Sequence, residues 1–407
     1  MYAEKMRVNQ IREVIGQAFK LKGSTMRFGS RRISAILKSI RSHFWDFGRR
    51  PSLAGLALTL ASLALTSADA FAACTVPNTL TNGQTTDASQ VMANFNSLLA
   101  CINTTVTSVQ TQPQGRLTLT SNTPVMTADA TAQSTIYYAP YQGYQIPIAG
   151  VMYNFSQLPY SLSTSAHLSG NLYDIFAYYS SGSVALCTGP AWSSGSTRSA
   201  SINLSNGIWS NQSSLTCTVS GGGSTTTIAA NNSTYLGTFY ATANGQTGMA
   251  FKPSTTSGGT NNILGLWNAY NRELYTALCR DSTVTWTKSN STWQSLNASN
   301  SNRISFVDGL GVSHLSAFAG TLIFTTANSA TASIGVNIDS TSATPETAAR
   351  AQTGSASNVA VYTGMSQGFQ SAGIGFHYAQ AMQANVNNTG TATYTGQDYA
   401  FTLTMPM

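Results

Sequence analysis

Charged side chains are scarce in this chain of 407 residues. Only 8% of the residues are Asp, Glu, Lys or Arg, whereas an ordinary soluble domain has roughly 25%. Residues 1–72 contain 12 of the 20 basic residues and 4 of the 13 acidic ones, which leaves 8 basic and 9 acidic residues for positions 73–407. This larger part lacks the basic surface that binding to phosphate backbones needs, so we expect no nucleic-acid partner.

The apolar run near the N-terminus is too short to be a membrane span. Leu53–Ala68 has 16 uncharged residues, fewer than the roughly 20 that a spanning helix needs. Basic residues precede this run, and the small residues Ala70 and Ala72 follow it, which is the three-part pattern of a secretory signal. We therefore expect residues 1–72 to be a leader that is cleaved after Ala72, and the protein to be secreted or displayed at the cell surface.

Alternatives for this leader remain open. The arginine pair at 49–50 loosely resembles a twin-arginine signal. Residues 71–74 (FAAC) resemble a lipobox, which would attach a lipid to Cys74 and anchor the protein to a membrane. The unusually long basic flank also leaves two possible translation starts, Met1 and Met26.

Cysteine and histidine are too sparse to indicate a metal site. No C-x-x-C or Cys/His spacing of a zinc site occurs, so we expect neither a metal nor a cofactor. All five cysteines follow the predicted cleavage point, where export would allow disulfides. We expect Cys74 and Cys101 to pair, and we consider Cys187 with Cys217 as a second pair, which leaves Cys279 unpaired.

One helix is predicted, in a helical lead-in unit at 73–110. Asp87 can cap it, with Gln90 three residues later in a capping-box-like arrangement. The apolar residues that follow share one helical face: Val91, Phe95, Leu98, Leu99 and Ile102. A short helix must bury such a stripe. The stripe would pack either on the region that follows or on copies of itself, and both alternatives remain open.

Beyond residue 110 the sequence has the pattern of many short strands. Ser and Thr make up 94 of the residues at 73–407, and Gly, Asn and Pro separate short alternating apolar runs. This pattern predicts an all-β chain of β-sandwich or jelly-roll-like domains rather than βαβ units. The predicted strands lie at 116–120, 135–138, 172–179, 235–240, 284–286, 322–325 and 400–404.

Three segments are predicted to be loops. They are 221–227, 253–262 and 341–357, the last of which contains a weak helix-like patch at 346–351. The loop at 253–262 is our boundary between a β-rich domain at 111–252 and a C-terminal β-sandwich domain at 262–407.

Several short motifs resemble a β-rich domain of phage and prophage tail-fibre proteins. They are 115–120 (GRLTLT), 135–141 (TIYYAPY), 173–176 (YDIF), 235–238 (YLGT) and 266–272 (LWNAYNR), while 82–96 resembles the short helical lead-in often joined to such domains. The resemblance covers most of 80–407. It implies a surface-exposed trimer that binds a receptor, with no catalytic residue to carry over. Because virion tail proteins carry no signal peptide, the leader points to a bacterial exported protein built on this scaffold.

The sequence offers little for catalysis. Residues 364–368 (GMSQG) match the G-x-S-x-G nucleophile pattern, and Ser366 with His377 and Asp398 could form a triad. We interpret this stretch as a glycine-rich β-turn instead, because the nucleophile pattern needs a strand-to-helix turn on a parallel sheet. The sparse acids, including Glu273, Asp281 and Asp308, are expected to cap turns or to pair with Arg272, Arg280 and Arg303 rather than to hydrolyse glycosides.

Aromatic clusters in an amide-rich background are the remaining candidates for binding. They comprise Tyr137, Tyr138, Tyr141, Tyr144, Trp286 and Trp293. Such rings either belong to the core or stack on sugars. We therefore expect an exported structural or adhesive protein, not an enzyme, that binds a cell-surface or glycan ligand and forms homo-oligomers, with a trimer as our guess. A virion tail component and a secreted hydrolase are the alternatives.

Overall fold

The computed structural model describes residues 76–79, 87–108, 112–252, 255–325, 330–352, 360–388 and 390–407. Side chains are described throughout these ranges except at 101–108, 325, 352 and 360. The predicted leader at 1–72 and the predicted Cys74–Cys101 disulfide thus lie outside the described residues and side chains. Cys74–Met407 forms one compact unit. Within the described ranges, no helix has the length and apolarity that a membrane crossing requires.

The predicted helix is present as α1 (Ala88–Ser108). Its N-terminus is capped by Asp87, whose Oδ1 accepts a hydrogen bond from the Ser89 N–H over 2.8 Å. The Phe95 and Leu99 side chains of the predicted apolar stripe are exposed. Val91 and Leu98 of the same stripe are half-buried, so the described part of the chain covers this stripe only in part.

The rest of the described chain is mostly β, which confirms the all-β prediction. A 3₁₀ helix, η1, spans Leu296–Ala298. The strands are β1 (Gly115–Thr118), β2 (Ala130–Gln133), β3 (Thr135–Pro140), β4 (Gln145–Ile148), β5 (Val151–Asn154), β6 (Leu158–Ser161), β7 (Leu172–Ser180), β8 (Ser183–Thr188), β9 (Ile202–Ser205), β10 (Ile208–Asn211), β11 (Leu215–Val219), β12 (Thr225–Ile228), β13 (Ser233–Tyr240), β14 (Thr247–Ala250), β15 (Asn262–Leu264), β16 (Leu266–Asn268), β17 (Leu274–Cys279), β18 (Thr285–Lys288), β19 (Gln294–Ser295), β20 (Arg303–Asp308), β21 (Leu315–Thr325), β22 (Thr331–Ile338), β23 (Ala348–Gln352), β24 (Ala360–Phe369), β25 (Gly375–Asn385), β26 (Ala392–Thr395) and β27 (Ala400–Pro406).

Three large sheets and three small ones hold these strands. The large sheets have the orders β12-β11-β8-β7-β13-β16, β2-β14-β15-β20-β25-β22-β23 with β19 beside β25, and β17-β27-β21-β26-β18 with β24 beside β21. The small sheets are β1-β3-β6, β4-β5 and β9-β10. Pairing is antiparallel except between β15 and β20, which run parallel. Large sheets with apolar inner faces agree with the predicted sandwich-like class.

All seven predicted strands overlap strands of the structure, but three other predictions about local structure were wrong. Threonines within the predicted loop 221–227 contribute to β12, which pairs with β11, because β-branched residues suit a pleated strand. The helix-like patch at 346–351 overlaps β23, which pairs with β22. The predicted turn at 364–368 lies inside β24, where Met365 and Gln367 are buried and Ser366 is exposed.

Sheets continue across the predicted domain boundary at 253–262. β14 on one side pairs with β15 on the other, and β16 completes the sheet that β13 belongs to. The buried Trp267 of β16 and Phe306 of β20 belong to the same apolar cluster as Phe176 of β7. The stretches before and after the loop therefore share one core.

Cys187 and Cys217 form a disulfide that links β8 to β11, which confirms the second of the two pairs considered from the sequence. Cys279 is a buried thiol that bonds to the Thr260 carbonyl oxygen over 3.1 Å. Its burial raises the pKa of the thiol to about 11. Cys279 is therefore a packed structural residue at neutral pH.

Candidate functional site

Described residues from several parts of the chain form an open groove with a volume of about 770 Å³. Its walls come from the β9–β10 hairpin, the loop between β16 and β17, the loop between β20 and β21, and the end of β27. The lining residues are Gln112, Leu204, Gly207, Trp209, Ala269, Tyr270, Asn271, Arg272, Leu274, Val312, His314 and Pro406. Aromatic, aliphatic and amide side chains therefore meet in one concave surface.

The β9–β10 hairpin places an aromatic and an aliphatic side chain on one wall. Asn206 and Gly207 connect its strands with φ values of 50° and 79°, the left-handed conformations that a tight two-residue hairpin turn requires. The turn puts Leu204 directly opposite Trp209. Directly opposed residues project from the same face of a ladder, so both side chains line the groove.

The hairpin is fixed by hydrogen bonds at both ends of β10. The Trp209 N–H donates to the Tyr270 hydroxyl over 2.7 Å. At the far end, the buried Asn211 donates to the Ala229 carbonyl oxygen over 2.8 Å and accepts from the Ser233 hydroxyl over 2.7 Å. These bonds join the groove wall to the neighbouring loop and to β13, which limits how far the wall can move.

Arg116 of β1 anchors the loop that carries Asn271. This side chain is buried, and its guanidinium donates to the carbonyl oxygens of Asn271, of Pro124 over 3.1 Å and of Met407 over 3.2 Å. The Asn271 amide in turn donates to the Pro113 carbonyl oxygen over 2.7 Å. A buried cation is tolerated here because backbone oxygens accept hydrogen bonds from its N–H groups.

Asp308 organises the loop that forms the opposite wall. Its carboxylate accepts hydrogen bonds from the N–H groups of Gly311 over 2.8 Å and Ser313 over 2.8 Å, and more distantly from those of Leu310 and Val312. These bonds hold the loop in a fixed curve, and Val312 is left exposed toward the groove.

Polar and apolar side chains contribute about equally to the groove surface. Leu274 at its edge is 73% exposed, and Leu204 and Val312 are also largely exposed. Arg272, His314 and the buried Tyr270 are its ionisable side chains, and no described lining residue is Asp or Glu. Such a surface can stack on the apolar face of a ligand and hydrogen-bond to its hydroxyl groups.

The structure places the three candidate residues of the hydrolase alternative in three different elements: β24, β25 and the turn before β27. Ser366 lies in the middle of β24, opposite Phe318. His377 of β25 has its Nδ1 at 2.6 Å from Asp339 Oδ2, and Asp398 accepts from the Thr395 hydroxyl over 3.0 Å. The hydrogen bonds of His377 and Asp398 thus go to other residues, and the strand conformation at Ser366 is not a nucleophile elbow.

The candidate glycosidase carboxylates are held by structural contacts. Glu273 accepts from the Tyr141 hydroxyl, and Asp308 binds the loop described above. Asp281 accepts from the amides of Asn297 over 2.8 Å and Asn302 over 3.0 Å. The described ranges contain no cluster of three His, Cys, Asp or Glu side chains that could hold a metal.

The predicted ion pairs of Arg272, Arg280 and Arg303 were wrong. The ion pairs between described residues are Arg198–Asp174 at 2.7 Å and His377–Asp339 at 2.6 Å. The Arg303 guanidinium instead lies 4.1 Å from the Tyr378 ring centroid, and that of Arg272 lies 5.5 Å from the Trp267 centroid. In this charge-poor chain, aromatic faces replace carboxylates as partners of these two arginines.

Three of the six aromatic side chains singled out from the sequence belong to the core or pack against it. Tyr138 and Trp293 are buried, and Trp286 stacks on Tyr394 at 5.9 Å while donating to Gln383. Tyr144, by contrast, is exposed. The groove uses a different aromatic pair, and the local signal for it was the Asn-Gly turn before Trp209.

The chain matches no protein-family model and no curated protein. Solved structures give weak similarities. Dimeric latent PorU from Porphyromonas gingivalis is 10% identical with a TM-score of 0.22, and the match covers 57% of this chain and 22% of PorU. The delta-endotoxin Cry8Ea1 from Bacillus thuringiensis is 8% identical with a TM-score of 0.18, covering 75% of this chain and 55% of the toxin.

The infectious bursal disease virus Gx strain structure is 10% identical with a TM-score of 0.19, and the match covers 73% of this chain and 78% of the viral one. The chain thus spans less than two thirds of the length of PorU and of the toxin. TM-scores this low do not indicate a shared fold.

Proposed function

We propose that this chain is an exported adhesive protein, not an enzyme, and that its groove binds a glycan at a cell surface. The observation that carries this proposal is the partly exposed Trp209 ring opposite Leu204 on the hairpin wall of the groove, which the loop of Tyr270 and Asn271 also lines. A tail-fibre-like scaffold that presents such a groove remains part of the proposal.

Sugar rings match the chemistry of this groove. Their C–H faces stack on indole and phenol rings, and their hydroxyl groups bond to neutral amides and backbone groups. The exposed Leu204 and Leu274 add apolar area that a ligand would remove from water. No described residue that lines the groove is Asp or Glu, which favours binding over hydrolysis because glycoside hydrolysis needs two carboxylates at the bond that breaks.

Export is supported by two independent features. The leader pattern at 1–72 is one. The Cys187–Cys217 disulfide is the other, because disulfides persist mainly in oxidising compartments. Mass spectrometry of the protein's N-terminus tests this part. A start at Ala73 supports export, a lipid on Cys74 supports anchoring, and an intact Met1 or Met26 contradicts both.

Binding is tested on an array of neutral and acidic oligosaccharides, followed by titration calorimetry with the best binder. We expect Trp209→Ala to weaken binding at least about 10-fold, because it removes the stacking surface. Leu274→Ser changes the opposite edge without touching the hairpin and should also weaken binding.

Tyr144→Ala is the matched control, since it removes an exposed ring that does not line the groove. Its affinity should equal that of the unchanged protein. If Trp209→Ala and Leu274→Ser both bound as tightly as the unchanged protein, the groove assignment would be overturned. A loss of affinity confined to Tyr144→Ala would move the site to that residue. No binding to any glycan on the array would contradict the ligand class.

A further inference from the structure

The groove shares two residues with the outer surface of one large sheet. Leu274 of β17 and Pro406 of β27 line the groove and lie directly opposite each other in the ladder. Farther along β17, Tyr275 and Ala277 are buried, so the residues that alternate with them project to the solvent side. The next two rows of the sheet on this side form what we call the outer face: Thr276, Thr404, Ser316, Gly368, Leu278, Thr402, Phe318 and Ser366.

Hydroxyl groups make up the row of the outer face nearest the groove. Thr404 lies opposite Thr276 on one side and opposite Ser316 on the other. Thr276 and Ser316 are exposed, and Thr404 is half-buried. The hydroxyl oxygens of Thr276 and Thr404 lie 2.8 Å apart. Because a hydroxyl has one proton to donate and two lone pairs that accept, this row can still bond to the hydroxyl groups of a ligand.

The second row of the outer face carries an aromatic ring that lies over two glycines. Phe318 pairs with Thr402 on one side and with Ser366 on the other. A Cβ atom added to Gly320 would lie 2.9 Å from the Phe318 ring, and one added to Gly364 would lie 3.2 Å from it. The ring therefore rests against the backbone of two adjacent strands, β21 and β24. It remains partly exposed, which leaves ring area on which a sugar can stack.

The groove and the Phe318 ring are farther apart than one sugar ring can reach. Leu274 belongs to the groove, and Leu278 belongs to the row that contains Phe318. These two leucines are four residues apart on β17, which corresponds to about 14 Å along a strand. A chain of several sugar rings can occupy both places at once.

We propose that the glycan bound by this chain is a linear, uncharged polysaccharide that runs from the groove across the outer face to Phe318. This inference rests on the proposed function, because the groove holds one part of the polymer. The eight residues of the outer face include none with a charge, so a charged polymer would find no ionic partner on it. Serine and threonine are also under-represented among the residues that dominate protein–protein binding, which favours a sugar over a second protein on this face.

The test measures affinity against ligand length by titration calorimetry. The probes are cello-, manno- and acetylated chito-oligosaccharides, each from the disaccharide to the hexasaccharide. In the series that binds, we expect the affinity of the unchanged chain to rise at least about 10-fold from the disaccharide to the hexasaccharide. Phe318→Thr introduces a residue that suits a strand, and it should remove this rise while the disaccharide affinity stays the same.

Ser316→Lys is a second variant that leaves the Phe318 ring in place. It adds a long side chain at an exposed position between the groove and Phe318, so it should also remove the rise. Ser183→Lys is the matched control, because it adds the same side chain at an exposed position of β8 in another sheet. This control should keep the rise, and circular dichroism shows whether each variant keeps its folded strands.

The outcomes separate this inference from the proposed function. Equal affinity for all lengths, or a rise that survives both Phe318→Thr and Ser316→Lys, overturns the extended path, while loss of disaccharide binding in Trp209→Ala still supports the groove. Binding to acidic glycans of the array but to none of the three neutral series overturns the inference alone. Sedimentation equilibrium tests for a second copy on this face: an assembly that Ser316→Lys disperses also overturns it. Binding to no glycan at all contradicts the proposed function itself.

Discussion

The backbone N–H of Trp209 donates a hydrogen bond of 2.7 Å to the Tyr270 hydroxyl. The two residues belong to different walls of the groove, and Tyr270 is buried. Burial raises the pKa of this hydroxyl, so the oxygen that accepts this bond belongs to a neutral phenol. One side chain thus couples the position of the aromatic hairpin to the loop that carries Asn271.

Replacing Tyr270 by Phe should weaken both folding and binding. The Trp209 N–H would lose its acceptor, which typically costs about 1–3 kcal/mol for a partly buried donor. Urea unfolding measures this loss, and glycan titration should show weaker affinity because the hairpin is no longer fixed. Tyr362→Phe, at an exposed tyrosine, serves as the control. If Tyr270→Phe had the same free energy of unfolding as the unchanged protein, the hairpin would not depend on this bond.

Arg116 should be among the most sensitive positions of the chain. Arg116→Met keeps the length and apolar stem of the side chain but removes every donor to the carbonyl oxygens of Pro124, Asn271 and Met407. Because those oxygens would be left without their charged partner, we expect a loss of about 3 kcal/mol or more in the free energy of unfolding.

Arg272→Met is the comparison for this experiment. Its guanidinium is exposed beside an aromatic ring, so its loss should change stability by no more than about 0.5 kcal/mol. Chemical unfolding of both variants separates the two cases. Equal stability of the two variants would show that Arg116 is not an anchor of the groove loop.

Local sequence patterns were enough to predict the β class and many strands. In β7 and β13, runs of aromatic and β-branched residues between turn residues identify the strands directly. The same reasoning failed at β24, where the outward positions are Gly364, Ser366 and Gly368. These small residues look like a turn in the sequence, although the alternation with buried Met365 and Gln367 is that of a strand.

The groove could not be predicted because its parts are distant in the sequence. Leu274 and Pro406 become neighbours only through the pairing of β17 with β27. Trp209 and Val312 likewise reach the groove through separate sheets and loops. A single sequence contains no local signal for such long-range pairings, whereas the helix cap at Asp87 depends on adjacent residues and was therefore found.

The Cys187–Cys217 disulfide should contribute strongly to stability. It joins two strands across a separation of 30 residues. In the chain-entropy model, closing a loop of this length lowers the entropy of the unfolded chain and so stabilises the folded protein by about 3–4 kcal/mol. Cys187→Ala with Cys217→Ala should lower the free energy of unfolding by a similar amount. A reducing agent should destabilise the unchanged protein but not this variant, and equal sensitivity of both to reduction would contradict the prediction.

His167 should make the protein less stable in mild acid. The ring is buried, with Nδ1 accepting from the Ser163 N–H over 2.9 Å and Nε2 at 2.9 Å from the Thr188 hydroxyl. Burial lowers its pKa from 6.5 to about 4. Between these values the unfolded chain binds a proton that the folded chain does not, so stability falls as the pH decreases from 6.5 toward 4, by about 2–3 kcal/mol in total.

His167→Asn keeps an acceptor near the Ser163 N–H but cannot titrate, and it isolates this contribution. The difference in unfolding free energy between the unchanged protein and the variant should decrease as the pH falls from 7 to 5, because only the unchanged protein loses stability through His167. Taking the difference cancels the contributions of the carboxylates and the other histidines to the free energy of unfolding, because these groups titrate alike in both proteins. Urea unfolding at half-unit pH steps measures it. A difference that stays constant with pH would show that His167 binds its proton equally in the folded and unfolded chains.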